Sequence, residues 1–553
     1  MEQMHHPRHH SQTDAHSFTS PHQATEALPT LNWQSSADGV SSRPLDTLEN
    51  FFKLLSDSGS PVNREHWAVS LALQINFKAP LEDSIQYIRR AWLLTGRLHP
   101  TLTGSVVDGV DGSTNTSSPA KPILTIHPFD ADAWLSKTFV VHHSESSIIS
   151  DKDGSKDTAT PATSASTLFA GMLSNGTPTC HWLPATQELF LRSAHWRIDG
   201  IGMLMLAHSF LAALASVLKN GLDRDLDSYD SLVGSRLLTR SLDDLADAYT
   251  DETSTPIHIQ ATADGLVNDF VRGVPSIGLP TSPGSETAAP GDSAREALRI
   301  DAATTAAIIS ACRTRNISVS SAVHAAIVRA TATYPQHPLA ISYATFFPVD
   351  MRRRLPKPYD GPDYAVGMFS AGLPICVLDA LGDARGSGRK SYEEIARQLA
   401  AAYSQDLSRL ATDDYGSPVS MLEVIAPYVR RTTKLFTTPL PPGLPQIQNP
   451  DMSSLGNVEA YIRHSYGSED NGLEVADFWL GTQMLSRSVQ CHVWGFRDEL
   501  NIAGCFNVSF YEAEFVKEFL GKVELELLTG LGIDRSMRPV KRRRVSLERT
   551  NGV

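Results

Sequence analysis

His195-Trp196-Arg197-Ile198-Asp199-Gly200 stands between two apolar segments of different character. Before it, Glu188-Leu189-Phe190-Leu191-Arg192-Ser193-Ala194 is short and apolar at its start, and after it residues 201–218 are dense in Met, Leu and Ala. The first has the length of a buried strand and the second that of a buried helix, so the six residues make the tight turn between them. Gly200 and Gly202 suit such a turn because glycine permits close approach of neighbouring chain. His195 then stands at a strand end facing a cleft. An imidazole titrates near neutrality and can carry a proton there.

Residues 201–218 approach the length of a membrane span. They contain His208, Ser209 and Ser216 and have no flanking basic cluster, so a buried core helix is expected and no membrane span. The chain of 553 residues exceeds one ordinary core, which points to two lobes. Its formal charge of −13 argues against a partner recognised through a phosphate backbone, and no nucleic acid is expected. Cys180, Cys312, Cys376, Cys491 and Cys505 show no CxxC spacing and cannot all pair, which suits a reducing, cytoplasmic compartment. No apolar leader opens the sequence.

Residues 1–43 are polar, carry His5, His6, His9, His10, His16 and His22, and are expected to be a disordered tail without a fixed metal site. Residues 44–272 read as a first α/β lobe carrying the histidine turn. It opens with a helix (Leu48, Phe51, Phe52, Leu55), a strand (Val69, Leu71, Leu73, Ile75, Phe77) and a second helix (Leu81, Ile85, Ile88, Ala91, Trp92). Residues 108–121 and 144–166 are surface insertions rich in Ser, Thr, Asp and Gly. Residues 273–296, with four prolines, read as the crossover between lobes. Residues 297–536 make a second α/β lobe, with helices near 319–330 and 392–410 and strands near 339–347, 489–496 and 500–508. Residues 537–553 are a basic tail containing Lys541-Arg542-Arg543-Arg544.

The HxxxDG pattern at 195–200, with a strand before it and an apolar helix after it, resembles the signature of the HxxxD-type CoA-dependent acyltransferases. That superfamily includes the plant BAHD enzymes, chloramphenicol acetyltransferase, peptide-synthetase condensation domains and fungal trichothecene 15-O-acetyltransferase-like enzymes. Further segments fall in the family's order. Arg97-Leu98-His99-Pro100-Thr101-Leu102 is similar to its R-x-HP-x-L helix ending, and residues 318–326 to the helix that opens its second half. Phe347 to Leu355, followed by Tyr364-Ala365-Val366-Gly367-Met368, resembles V-N/D-L-R-x-R … GN, while Phe506-Asn507-Val508-Ser509-Phe510-Tyr511 resembles the closing YN-x-x-FY of fungal members. Asp477-Phe478-Trp479-Leu480-Gly481 departs from the family's DFGWG and reads as a structural turn. Met368 stands where Asn is usual, and Ala194 replaces the first His of the condensation-domain HHxxxDG. The fungal O-acetyltransferase branch is the best fit.

The resemblance implies an α/β fold of two similar chloramphenicol-acetyltransferase-like lobes with a channel between them, in a monomer. It implies no permanently bound cofactor or metal, acetyl-CoA or another acyl-CoA as co-substrate, and a small-molecule alcohol acceptor, expected to be a hydroxyl of a fungal terpenoid or similar secondary metabolite. His195 would be the general base, with no acyl-enzyme; no G-x-S-x-G elbow competes with it. Asp199 would pair with Arg352, or as a second candidate Arg354, and, with Gly200, support the turn, while Trp196 and Arg197 are candidates for channel lining. The alternatives are an enzyme that takes its acyl group from a carrier protein and a catalytically silent metabolite binder of the same fold.

Overall fold

Two sheets organise the chain. A computed structural model describes residues 32–108, 121–143, 163–224, 238–382 and 388–534. Among these, a six-stranded sheet runs in the order Ser465–Gly467, Gly472–Thr482, Val69–Phe77, Glu188–Ser193, Thr179–Leu183, Phe139–Val141, with only the last pair parallel. A four-stranded sheet runs Asp451–Asn457, Gln490–Phe496, Glu499–Asn507, Ser293–Ile300, with only its first pair parallel. The architecture is mixed α/β.

The strand Val69–Phe77 is central, and its residues from Val69 to Leu73 are buried on both faces of the sheet. Such a strand reads as a near-continuous apolar run, here Val-Ser-Leu-Ala-Leu. One face is covered by the helices Ser84–Leu98 and Gly200–Asn220. Gly200–Asn220 is long and apolar enough to cross a membrane, yet Met203, Leu204, Leu206, Phe210, Leu211, Leu214 and Val217 are buried within the core it shares with that sheet. The helices Val319–Thr331 and Ala513–Leu531 pack on each other, and Ala513–Leu531 lies on the four-stranded sheet.

The structure differs from the expected organisation in three places. Ordered chain begins before residue 44: Ser41–Pro44 pairs with Ile123–Ile126, and buried Arg43 forms two hydrogen bonds of 2.7 Å with Glu49. The histidines of the tail, most of the two insertions (109–120 and 144–162) and the basic tail lie outside the described residues.

Residues 273–296 are less a free linker than a strap along the second half. Ile277 donates its N–H to the Ser342 carbonyl, Leu279 to that of Gln448 and Ser282 to that of Phe510, and Ser293 already starts a strand. Asn507 fixes this strap, donating to the carbonyls of Gly291 and Met484 and accepting from the N–H groups of Gly291 and Ser509.

Finally, Asp477-Phe478-Trp479-Leu480-Gly481 is not a turn. It lies in the strand Gly472–Thr482, which leaves the second half to pair with Val69–Phe77 (Leu480 opposite Leu71), with a bulge between Val475 and Asp477. Phe478, Leu480 and Gly481 are buried on the two faces of that sheet, which is why the segment is apolar.

Candidate active site

The strand Glu188–Ser193 ends one residue before Ala194, and the helix begins at Gly200, so residues 194–199 form the connection. Asp199 is its N-cap: Oδ1 accepts the N–H of Gly202 at 2.7 Å, satisfying one of the donors a helix start leaves open. The same carboxylate accepts from Arg352 Nη1 through both oxygens at 2.9 Å, and its Oδ2 accepts the N–H of Phe369 at 2.9 Å. Asp199 and Arg352 are buried at 0% and 1% exposure. Arg352 also donates to Asp350 Oδ1 at 3.1 Å and lies over the Phe369 ring. Burial works against its charge, but the carboxylates of Asp199 and Asp350 hold its pKa above the ordinary value. The turn is thereby bolted to a segment 153 residues away.

Only one of the two turn glycines is demanded by packing. A Cβ on Gly202 would lie 2.3 Å from the Ala365 carbonyl oxygen and 2.8 Å from Arg352 Nη2, whereas one on Gly200 would meet only Leu455, at 3.4 Å. Glycine at 202 lets the helix approach the Arg352 segment closely enough for the ion pair to form.

His195 lines a cavity of about 660 Å³, a size suited to a small-molecule site. Its ring stacks on Phe52 at 4.4 Å and 6°, and Trp67 lies 6.5 Å away. Nδ1 is buried with no partner in another described residue, leaving Nε2 as the nitrogen able to meet a ligand. Burial pulls its pKa down to about 4, against an opposing pull from the Asp199 charge, so the ring is neutral at neutral pH. His66 and His492 share the cavity wall and are also held neutral by burial, at about 4 and about 3. His66 Nδ1 accepts the Leu485 N–H at 3.1 Å, and His492 Nε2 bonds the Thr482 hydroxyl at 3.1 Å.

Trp196 and Arg197 do not line this cavity. Both are buried, and the guanidinium of Arg197 lies 4.4 Å from the Trp196 ring centroid. Arg197 donates to the carbonyls of Gly104 (2.6 Å) and Gly176 (3.1 Å), which turns it into the wall as a clamp on two loops. Gly200 does line the cavity, half-buried.

The rest of the wall comes from distant segments. Phe52 is carried by the helix Thr47–Asp57, started by a capping box of Asp46 and Glu49. Trp67 has φ +61, a conformation that a bulky residue adopts only under constraint, and its N–H is held by the Gln483 carbonyl at 2.7 Å. Aromatic contacts run without a break from Phe270 to Phe346 (4.4 Å), Phe436 (5.6 Å), Phe51 (5.5 Å), Phe52 (5.2 Å) and His195 (4.4 Å). Of these, sequence reading singled out only Phe51, Phe52 and His195, the first two as the face of a helix. Nothing local marks Phe270, Phe346 or Phe436 as their neighbours.

Residues 289–504 match the family described as phthiocerol/phthiodiolone dimycocerosyl transferase C-terminus. The chain is 26% identical to acetyltransferase pigO of Monascus ruber over 91% of this chain and 99% of that one. It is 28% identical to a protein of Epichloe uncinata named loline biosynthesis cluster 1 transcription factor lolU1, over 92% and 99%. Among solved structures, trichothecene 15-O-acetyltransferase TRI3 from Fusarium sporotrichioides superposes with a TM-score of 0.67 at 18% identity, over 91% and 99%.

Proposed function

We propose that the chain, an acyltransferase similar to the HxxxD-type enzymes, transfers an acetyl or other short acyl group from an acyl-CoA to a hydroxyl of a secondary metabolite. Fungal terpenoids are the acceptors it is expected to serve, in the cytoplasm. The observation that carries this reading is His195 itself: neutral, stacked on Phe52, and presented to the cavity by a turn anchored through Asp199 and Arg352.

In this mechanism His195 Nε2 takes the proton of the acceptor hydroxyl as its oxygen attacks the thioester carbonyl carbon. The tetrahedral intermediate collapses by breaking the carbon–sulfur bond, and the imidazolium returns the proton to the departing CoA sulfur. Atoms and charge balance without an acyl-enzyme. Burial makes the imidazolium costly, and the Asp199 charge favours it. Arg352 neutralises most of that charge, so Asp199 chiefly fixes geometry. Arg353 and Arg354, both exposed, also line the cavity and are suited to the phosphates of the donor.

The aromatic run from Phe270 to Phe52 suits an apolar, ring-containing acceptor. Two relatives, from Epichloe uncinata and Stachybotrys chartarum, are named as transcription factors of biosynthesis clusters; an acidic chain with this cavity is better fitted to a metabolite than to a phosphate backbone. Incubation with acetyl-CoA and an extract of metabolites, with released thiol as the readout, is expected to give CoA and a product heavier by one acetyl group. Silence with every acyl-CoA but turnover with a loaded carrier protein would replace the donor assignment. Silence with both would overturn the enzymatic reading.

A further inference from the structure

Asp451 is a carboxylate set into the same cavity. It opens the strand Asp451–Asn457 and is the register partner of Gln490, another lining residue. One of its oxygens, Oδ1, is fully engaged inside the wall, accepting from Asn449 Nδ2 at 2.7 Å and from the Thr345 hydroxyl. Thr345 and Asn449 are 1% and 4% exposed. The backbone is pinned as well: the Asp451 N–H donates to the Val489 carbonyl at 2.9 Å, and the Tyr343 hydroxyl donates to the Pro450 carbonyl at 2.7 Å.

The second oxygen, Oδ2, makes no hydrogen bond or ion pair among the described residues, and the residue is only half-buried. Burial raises this carboxyl to about 6, with Thr345 and Asn449 pulling the other way, so it is largely ionised at neutral pH. A carboxylate at a cavity wall that is oriented by buried partners, with one oxygen unpaired among the described residues, is a hydrogen-bond acceptor awaiting a donor.

We propose that Asp451 selects the acceptor, its free oxygen receiving a hydrogen bond from a second donor group, hydroxyl or amino, on the ring scaffold whose other hydroxyl is acylated. The inference deepens the acyltransferase reading and rests on it for the identity of the ligand as acceptor. A site built to bond a polar group rejects the analogue lacking it more strongly than an apolar pocket rejects one methylene, because the site's own group is left unpaired. The preferred acceptors are thus ring compounds carrying at least two donor groups.

The test is calorimetric binding of two probes to the full chain, 1-(2-naphthyl)-1,2-ethanediol and 2-(2-naphthyl)ethanol, which differ by one hydroxyl. Wild type is expected to favour the diol by about tenfold or more. Asp451→Ala abolishes the preference, the isosteric Asp451→Asn, included in case the alanine variant does not fold, weakens it, and His195→Ala retains it. Equal affinity for the two probes in wild type, a preference that survives in both Asp451 variants, or binding of neither probe would overturn the proposal. A preference that depends on Asp451 in a protein that turns over no acyl donor would instead sink the acyltransferase reading and leave Asp451 as the selector of a bound metabolite.

Discussion

The cavity has two walls built in different ways. One is the contiguous run from His195 to Gly202, where the proposed base, the cap that is also the ion-pair partner, and the close-packing glycine fall within eight positions. The other is gathered: Phe52 and Trp67 from the first half, Phe270 from the strap's approach, Phe346, Phe436, Asp451 and His492 from the second. The contiguous wall is rigid through bonds that converge on a single carboxylate, Asp199. The gathered wall is held by separate local devices, such as the capping box at Asp46 and the bond from Trp67 N–H to the Gln483 carbonyl. Damage to the first should act through one point, and damage to the second should be graded.

Acid acts on both walls together and has the largest expected effect. His66, His99, His181, His324 and His492 are buried, His195 is half-buried against Phe52, and all six titrate at about 3 to 4 in the folded protein. In the unfolded chain each titrates near 6.5. Between those values the unfolded state binds protons that the folded state refuses, so stability is greatest above about pH 6.5 and falls as pH drops toward 4. Urea midpoints between pH 7.5 and 4.5 are expected to decline steadily; a flat profile would show that these rings are not held neutral.

His195→Ala comes next, cutting acyl transfer by about 10² to 10⁴. It should leave the melting temperature nearly unchanged, since the half-buried ring makes no hydrogen bond to another described residue. Asp199→Asn or Arg352→Met tests the bolt. Asp199→Asn leaves Arg352 with only Asp350 beside it, Arg352→Met leaves buried Asp199 with no cation, and each is expected to cost on the order of 3 to 5 kcal/mol in equilibrium unfolding. The double variant Asp199→Asn/Arg352→Met is expected to recover a large part of that loss; if it were as unstable as the two losses summed, the pair would not be coupled.

The glycines give the smallest and sharpest contrast. Gly202→Ala must displace the Ala365 carbonyl and is expected to cost about 1 to 3 kcal/mol. Gly200→Ala, with contact only at 3.4 Å, is expected to stay within about 0.5 kcal/mol of wild type. Equal losses would mean that the turn, not the packing beneath it, sets the requirement.

The same division explains what the sequence disclosed. The histidine turn, the core helix after it and the strands around 69–77, 490–496 and 499–507 were legible because their signals are local: periodicity, a cap and glycines at fixed offsets. The nearness of Asp199 and Arg352 followed from resemblance, not from spacing. Trp196 and Arg197 were misplaced because neighbours in a turn diverge, and nothing in His-Trp-Arg tells which side chain faces the cavity. Asp451 and the aromatic run stayed hidden because each depends on a register or a packing of segments hundreds of residues apart. Asp477-Phe478-Trp479-Leu480-Gly481 misled for a related reason: its apolar residues fit a sheet that belongs, by sequence order, to the other half.

That strand has a further consequence. Because Gly472–Thr482 pairs with Val69–Phe77, a fragment ending near residue 285 would expose a long hydrophobic edge where its neighbour is missing. Severed there, the chain would not yield two modules to be exchanged with those of relatives. It would yield two mutually dependent pieces, each prone to aggregate alone, and soluble only when co-expressed so that the late strand is donated in trans.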